Sequence, residues 1–139
     1  MCSILSFYVI IKLGDDMKDC IFCKIINGDI PSKTVYEDDI VKVIMDANPN
    51  ADGHMLILPK KHYEDFTTID DETIIHIHNI AKKMKELIYD KLDNVEGIVL
   101  INNYGKFQIV KHYHLHILPN GLNSSKGISI DDMYNKYMN

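Results

Sequence analysis

The chain has 139 residues and a formal charge of −5 at pH 7, with 46% hydrophobic and 25% charged residues. That is one domain's worth of ordinary globular composition, long enough to bury a core without disulfides. The negative charge argues against a broad nucleic-acid or membrane surface. All fifteen basic residues are lysine, so no bidentate guanidinium is available to hold a phosphate.

Three cysteines without a regular framework point to a reducing, cytoplasmic setting. At the start, Ile4 to Leu13 is apolar but too short to span a bilayer, is interrupted by Lys12, and lacks the basic start and cleavage site of a signal peptide. Residues 1–16 are therefore read as an extension ahead of a single domain over 17–139, with an extra edge strand as the rival reading. Asp19 to Ile26 reads as a short helix, with Asp19 at the N-cap and Gly28 as its stop. Thr34–Tyr36 and Ile40–Met45 are β-rich stretches around the turn signal Glu37-Asp38-Asp39, which predicts a hairpin. Residues 48–53 (NPNADG) form a loop, and His54–Leu58 is an apolar strand ended by Pro59.

The longest element is a helix from about Asp71 to Leu92, capped by Thr68 or Asp70. Its buried stripe is Ile74, Ile77, Ala81, Met84 and Ile88, spaced by threes and fours. His76 and His78, two apart on this helix, do not share a face and are placed on the surface. Gly97–Ile101 is a strand, Asn102–Lys106 a polar turn, and Val110–Leu118 a final strand closed by Pro119. The predicted fold is α+β: an antiparallel five-stranded sheet, one long helix on a face, and a short N-terminal helix.

The final strand carries the chemistry. Strand side chains alternate, so His112, His114 and His116 face one side, about 6.6 Å per step. Tyr113, Leu115 and Ile117 face the other, where the helix stripe can cover them. Packing needs the second set and gains nothing from the first. A row of imidazoles offers a neutral nucleophile beside donors, which suits attack on phosphorus. A metal bound by all three is disfavoured, since the outer pair lies about 13 Å apart along a flat strand and only two of the rings fit comfortably on one ion.

The string H-Y-H-L-H-I-L resembles the H-φ-H-φ-H-φ-φ signature of the histidine-triad family of nucleotide-binding hydrolases and transferases. D-C-I-F-C-K-I-I-N-G-D-I-P, Y-E-D-D and G-H-M-L-I-L-P-K-K-H resemble further family segments in the same order, closest to the Hint-like branch. The resemblance implies a purine nucleoside phosphoramidate or monophosphate as ligand and a nucleotidyl-histidine intermediate on His114. It implies that His116 donates to the phosphate oxygens, with His112 and His54 as the supporting catalytic shell. By the same resemblance Gln108 and Asn103 contact the phosphate region, and Asp46 holds the ribose hydroxyls. Ile21, Phe22, Ile25, Ile30 and Ile44 resemble the apolar slot around the base. A homodimer that continues the sheet across two chains is also implied.

Cys20 and Cys23 are spaced C-x-x-C as in zinc sites. Related proteins carrying this pair imply His62 and His112 as the other ligands of a structural zinc. The stretch Asn103–Ile109 departs from the family: it is about two residues short, Phe107 stands for a usual Gly, and Ile109 offers no hydroxyl. Lys106 could compensate as a point charge. Three functions remain open at this point: a nucleoside phosphoramidase, a dinucleoside polyphosphate hydrolase, and a nucleotide-binding regulator with little turnover.

Overall fold

The computed structural model describes residues 19–139. The expectations for residues 1–16 lie outside the described residues. Helix α1 (Ile21–Ile26) leads into β1 (Thr34–Glu37), β2 (Val41–Met45) and β3 (Met55–Pro59). Helix α2 (Asp71–Lys91), β4 (Ile98–Ile101), a 3-10 turn (Gly105–Phe107), β5 (Leu115–Pro119) and helix α3 (Ile130–Met138) follow. The five strands form one antiparallel sheet in the order β1-β2-β3-β5-β4, an α+β architecture as expected.

Local chemistry sets most of the boundaries. Asp38 makes the β1–β2 turn, its Oδ1 accepting from the N–H groups of Ile40 and Val41, both at 2.8 Å. Asp70 caps α2 by accepting from the Thr73 N–H at 2.9 Å, whereas the Thr68 hydroxyl donates to the Asp65 carbonyl. The cap of α1 is Cys20, not Asp19: its sulfur accepts from the Cys23 N–H at 3.4 Å. His76 is not a free surface residue. Its Nε2 lies 2.8 Å from Asp38 Oδ2 and ties α2 to the hairpin turn, while His78 is exposed as expected.

Strands β2 and β3 are buried on both faces, so they read as unbroken apolar runs. Val41, Val43, Met45, Met55 and Ile57 face the core beneath α2 and α3. Ile44, Leu56 and Leu58 pack on the opposite face with Phe22 and Ile25 of α1. The buried stripe of α2 is Ile77, Ile80, Ala81, Met84 and Ile88, with Ile74 packed at its edge. No helix of the described residues is long and apolar enough to cross a membrane.

The final strand is shorter than expected, beginning at Leu115 instead of Val110. Its ladder to β3 ends at Ile57 opposite Leu115. Two residues further along β3 stands Pro59, which has no N–H to give. Residues 112–114 are instead held by a bond from the Tyr113 N–H to the Tyr63 carbonyl at 2.7 Å. Asn102 Nδ2 adds a bond to the His114 carbonyl at 3.0 Å. Alternation survives this, since Tyr113 and Ile117 enter the α2 core and Leu115 packs against it.

Candidate active site and metal cluster

Register places the histidines. Ile44, Leu56 and His116 stand opposite one another across β2, β3 and β5. Two residues away along their own chains, Asp46 and His54 fall on the same face. Helix α1 lies over that face and leaves a cavity of about 810 Å³. Ile21, Phe22, Ile25 and Ile44 line its apolar part, and Asp46, His54, Asn103, His114 and His116 its polar part.

Two expected members are elsewhere. Ile30 packs behind the wall, against the α1 cluster. Gln108 is buried away from the cavity, its Nε2 donating to the Glu64 carbonyl at 2.8 Å. Its neighbours Phe107 and Ile109 take the wall instead, where the segment turns through the 3-10 geometry that begins at Gly105. Lys106 does not reach the cavity wall; its ammonium sits over the Phe107 ring, 5.2 Å from the centroid.

The tautomers follow from fixed backbone partners. His114 Nδ1 donates to the His112 carbonyl at 2.8 Å, which leaves Nε2 with its lone pair free. The ring lies edge-on to Phe22 at 4.9 Å. His54 Nδ1 accepts from the Asn50 N–H at 3.1 Å, so its proton resides on Nε2. That proton is given to His116 Nδ1 at 2.9 Å, with Asp46 Oδ2 at 3.4 Å as a weaker second acceptor. His116 must then carry its own proton on Nε2, where it can be donated. Burial lowers the pKa of His114, against the opposing pull of the His112 carbonyl and Asp46. Burial, then the neighbouring His114 and His54, lowers His116 to about 4. His54 is lowered as well, by burial first. At neutral pH the triad is a set of uncharged rings with assigned protons.

His112 faces away from the cavity and is fully buried. Its Nε2 donates to the Pro59 carbonyl at 2.8 Å, which aims the Nδ1 lone pair at Cys20 Sγ (3.4 Å), Cys23 Sγ (3.5 Å) and His62 Nδ1 (3.1 Å). Cys23 Sγ is also 3.3 Å from His62 Nδ1. Ligand atoms about 2.0–2.3 Å from a tetrahedral zinc stand about 3.3–3.8 Å apart, so these separations nearly match a Cys₂His₂ site. The carbonyl behind His112 is the outer partner that a metal-binding imidazole ordinarily has. Without an ion, burial first and then Cys20 push the Cys23 thiol up to about 12; a bound cation reverses that preference. Asp46, His54 and His116 also converge, but the Asn50 N–H keeps the proton on His54 Nε2 and so withholds that ligand atom.

Several residues of the site had no sequence signal. Asn102 anchors the His114 backbone, and Asn50 orients His54 through its main chain. Lys33, Ile130 and Asp131 also line the cavity, with Lys33 and Asp131 paired at 3.2 Å. Polar residues in loops and a C-terminal helix carry no period that would announce such roles.

The HIT domain family profile matches residues 27–121. The chain belongs to the histidine-triad (HIT) family. An uncharacterized HIT-like protein of Methanocaldococcus jannaschii is 45% identical over 102 residues, 72% of this chain and 78% of that one. Among solved structures, a Zn-bound histidine-triad protein from Mycobacterium smegmatis superposes with a TM-score of 0.74 at 30% identity, covering 88% of this chain and 90% of its own. A HIT family hydrolase from Legionella pneumophila gives a TM-score of 0.64 at 34% identity, over 74% of this chain and 94% of the other. The five-stranded HIT sheet with its helices is thus common to this chain and these structures, and the histidine row lies in the matched part.

Proposed function

We propose that this HIT protein is a nucleotide hydrolase that cleaves the P–N bond of purine nucleoside 5′-phosphoramidates. The observation carrying this reading is the bond from His114 Nδ1 to the His112 carbonyl, which makes Nε2 a neutral nucleophile on the wall of a nucleotide-sized cavity. The base lies in the slot of Ile21, Phe22, Ile25 and Ile44, and Asp46 accepts from the ribose hydroxyls. Nε2 of His114 forms a bond to the α-phosphorus as the P–N bond to the amine breaks. His116 Nε2–H donates a hydrogen bond to a phosphate oxygen, and the departing amine takes its proton from solvent. Water then attacks the same phosphorus, loses its proton to solvent, and releases the nucleoside monophosphate as the P–Nε2 bond breaks. Asn103 stands beside the phosphate. His54 acts through His116, whose Nδ1 accepts its proton.

Cys20, Cys23, His62 and His112 are proposed as the holders of a structural zinc, which when bound cross-links α1 to the segments after β3 and before β5. No step of the reaction passes through it. The edge strand β4, with Val99 and Leu100 partly exposed, is proposed to continue the sheet across a homodimer.

The test incubates wild type and His114→Ala with an adenosine phosphoramidate and with a diadenosine polyphosphate. Wild type should release AMP from the phosphoramidate. His114→Ala should lose about 10⁴-fold or more in kcat while binding AMP within a few-fold. Preference for the polyphosphate identifies the dinucleoside hydrolase, and binding without turnover by wild type identifies a regulator; either result overturns the proposal.

A further inference from the structure

The loop of residues 46–54 bears two members of the site, Asp46 and His54, yet it is held mainly from the far end of the chain. Asn50 is gripped at every polar atom. Its Oδ1 accepts from the Asn123 N–H, its Nδ2 reaches Asn123 Oδ1 at 3.5 Å, and its carbonyl accepts from the Ser124 N–H at 3.2 Å. Its remaining group, the N–H, donates to His54 Nδ1 at 3.1 Å. Asp52 accepts from the Lys126 N–H at 3.0 Å and the Ser125 hydroxyl at 3.1 Å. The buried Tyr137 of α3 donates its hydroxyl to the Gly53 carbonyl at 2.7 Å. Gly53 has a φ of +87°, and a Cβ there would collide with that hydroxyl.

This arrangement has a chemical consequence. A backbone N–H can only donate, so its position decides which nitrogen of His54 is left without a proton. His54 in turn decides the tautomer of His116. We propose that residues 123–137 act as a clamp that fixes the proton positions of the catalytic histidines, with Asn50 as the positioning residue between clamp and triad. A shift of this loop that withdrew the Asn50 N–H would let His54 carry its proton on Nδ1. Nε2 would then be an acceptor facing His116 Nδ1, and His116 would have to place its proton inward, away from the substrate. The segment thus sets how many molecules are poised to donate, not whether the pocket exists. The kinetic part of this inference rests on the proposed role of His116; the tautomer part does not.

The test is long-range ¹H–¹⁵N correlation of the imidazoles in wild type, Asn50→Ala and Asn50→Asp, with kinetics on the phosphoramidate alongside. Wild type should show the proton of both His54 and His116 on Nε2. Asn50→Ala should give mixed tautomers on both rings and a kcat lower by about tenfold with KM changed less than about twofold, the signature of a misplaced hydrogen-bond donor. Asn50→Asp keeps an acceptor for the Asn123 N–H and should restore the single tautomer. If Asn50→Ala does not fold, Tyr137→Phe gives the same reading, since it removes only the hydroxyl on Gly53. A wild-type His54 protonated on Nδ1, or folded variants with wild-type tautomers, would overturn the clamp. Absence of phosphoramidate turnover with the expected tautomers would overturn the reaction assignment alone.

Discussion

His114 differs from an ordinary histidine in two respects that belong together. Its burial disfavours the imidazolium, and its Nδ1 is committed to a carbonyl. A nucleophile must be neutral, so in its proposed role a lowered pKa keeps His114 active further into acid. The acid-limb midpoint of kcat/KM for the proposed phosphoramidase should lie below about pH 6.5, where an unperturbed imidazole is already half protonated. The loss should come below that point, and a midpoint at or above 6.5 in a pH–rate profile would contradict the assignment. Stability follows the same sign. His54, His114 and His116 bind protons less readily folded than unfolded. Their neutral burial therefore costs nothing above about pH 6.5, and stability declines as the pH falls from there toward about 4. Urea midpoints measured across that range should fall, and a flat series would show that these rings ionise freely in the folded protein.

Elements were legible in the sequence wherever a period or a hard stop existed. The stripe of α2 emerged from spacing, and only Ile80 was left out of it. The β1–β2 hairpin emerged from an acidic turn that the structure builds on Asp38. The start of β5 was not legible, because apolar alternation continues from Val110 while the hydrogen-bond ladder depends on the partner strand, where Pro59 interrupts it. The cap of α1 was missed for a related reason: a cysteine that points its sulfur at its own helix is indistinguishable in sequence from one that does not. The difference between stripe and surface on α2 is measurable. Ile77, 1% exposed, should cost about 2–5 kcal/mol as Ile77→Ala. Ile75, 61% exposed on the other side, should change stability by less than about 0.5 kcal/mol as Ile75→Ala. Denaturant unfolding of the two variants compares them directly, and equal losses would mean that the helix packs on a different face.

At the scale of the whole molecule, the cysteine–histidine cluster and the candidate active site meet at one residue. His112 gives its ring to Cys20, Cys23 and His62, and its carbonyl to His114. Protein purified without a His tag should contain about one equivalent of zinc, and Cys23→Ser should lower both metal content and melting temperature. His114→Ala should retain the metal. Less than about a tenth of an equivalent in wild type would exclude the assignment. The histidine row and the C-x-x-C spacing were readable because each is a short pattern of rare, chemically distinctive residues. Gln108 misled because identity and spacing do not report which way a side chain turns, and here its amide turns to the Glu64 carbonyl. The C-terminal clamp was unreadable for a different reason: it joins main-chain and common polar groups across the sheet, and nothing in either segment names the other.

Those pairings also set when the site can come into being. Cys20 meets His112 across 92 positions, Gly53 meets Tyr137 across 84, and Asn50 meets Asn123 across 73. Contacts of such separation form late, after the local helices and the hairpin, because the intervening chain must first be closed into a loop. On the ribosome, residues 46–54 emerge long before the residues that grip them. A growing chain can therefore hold much of its sheet while its histidines still lack their assigned protons, and the finished catalyst is the last thing that folding delivers.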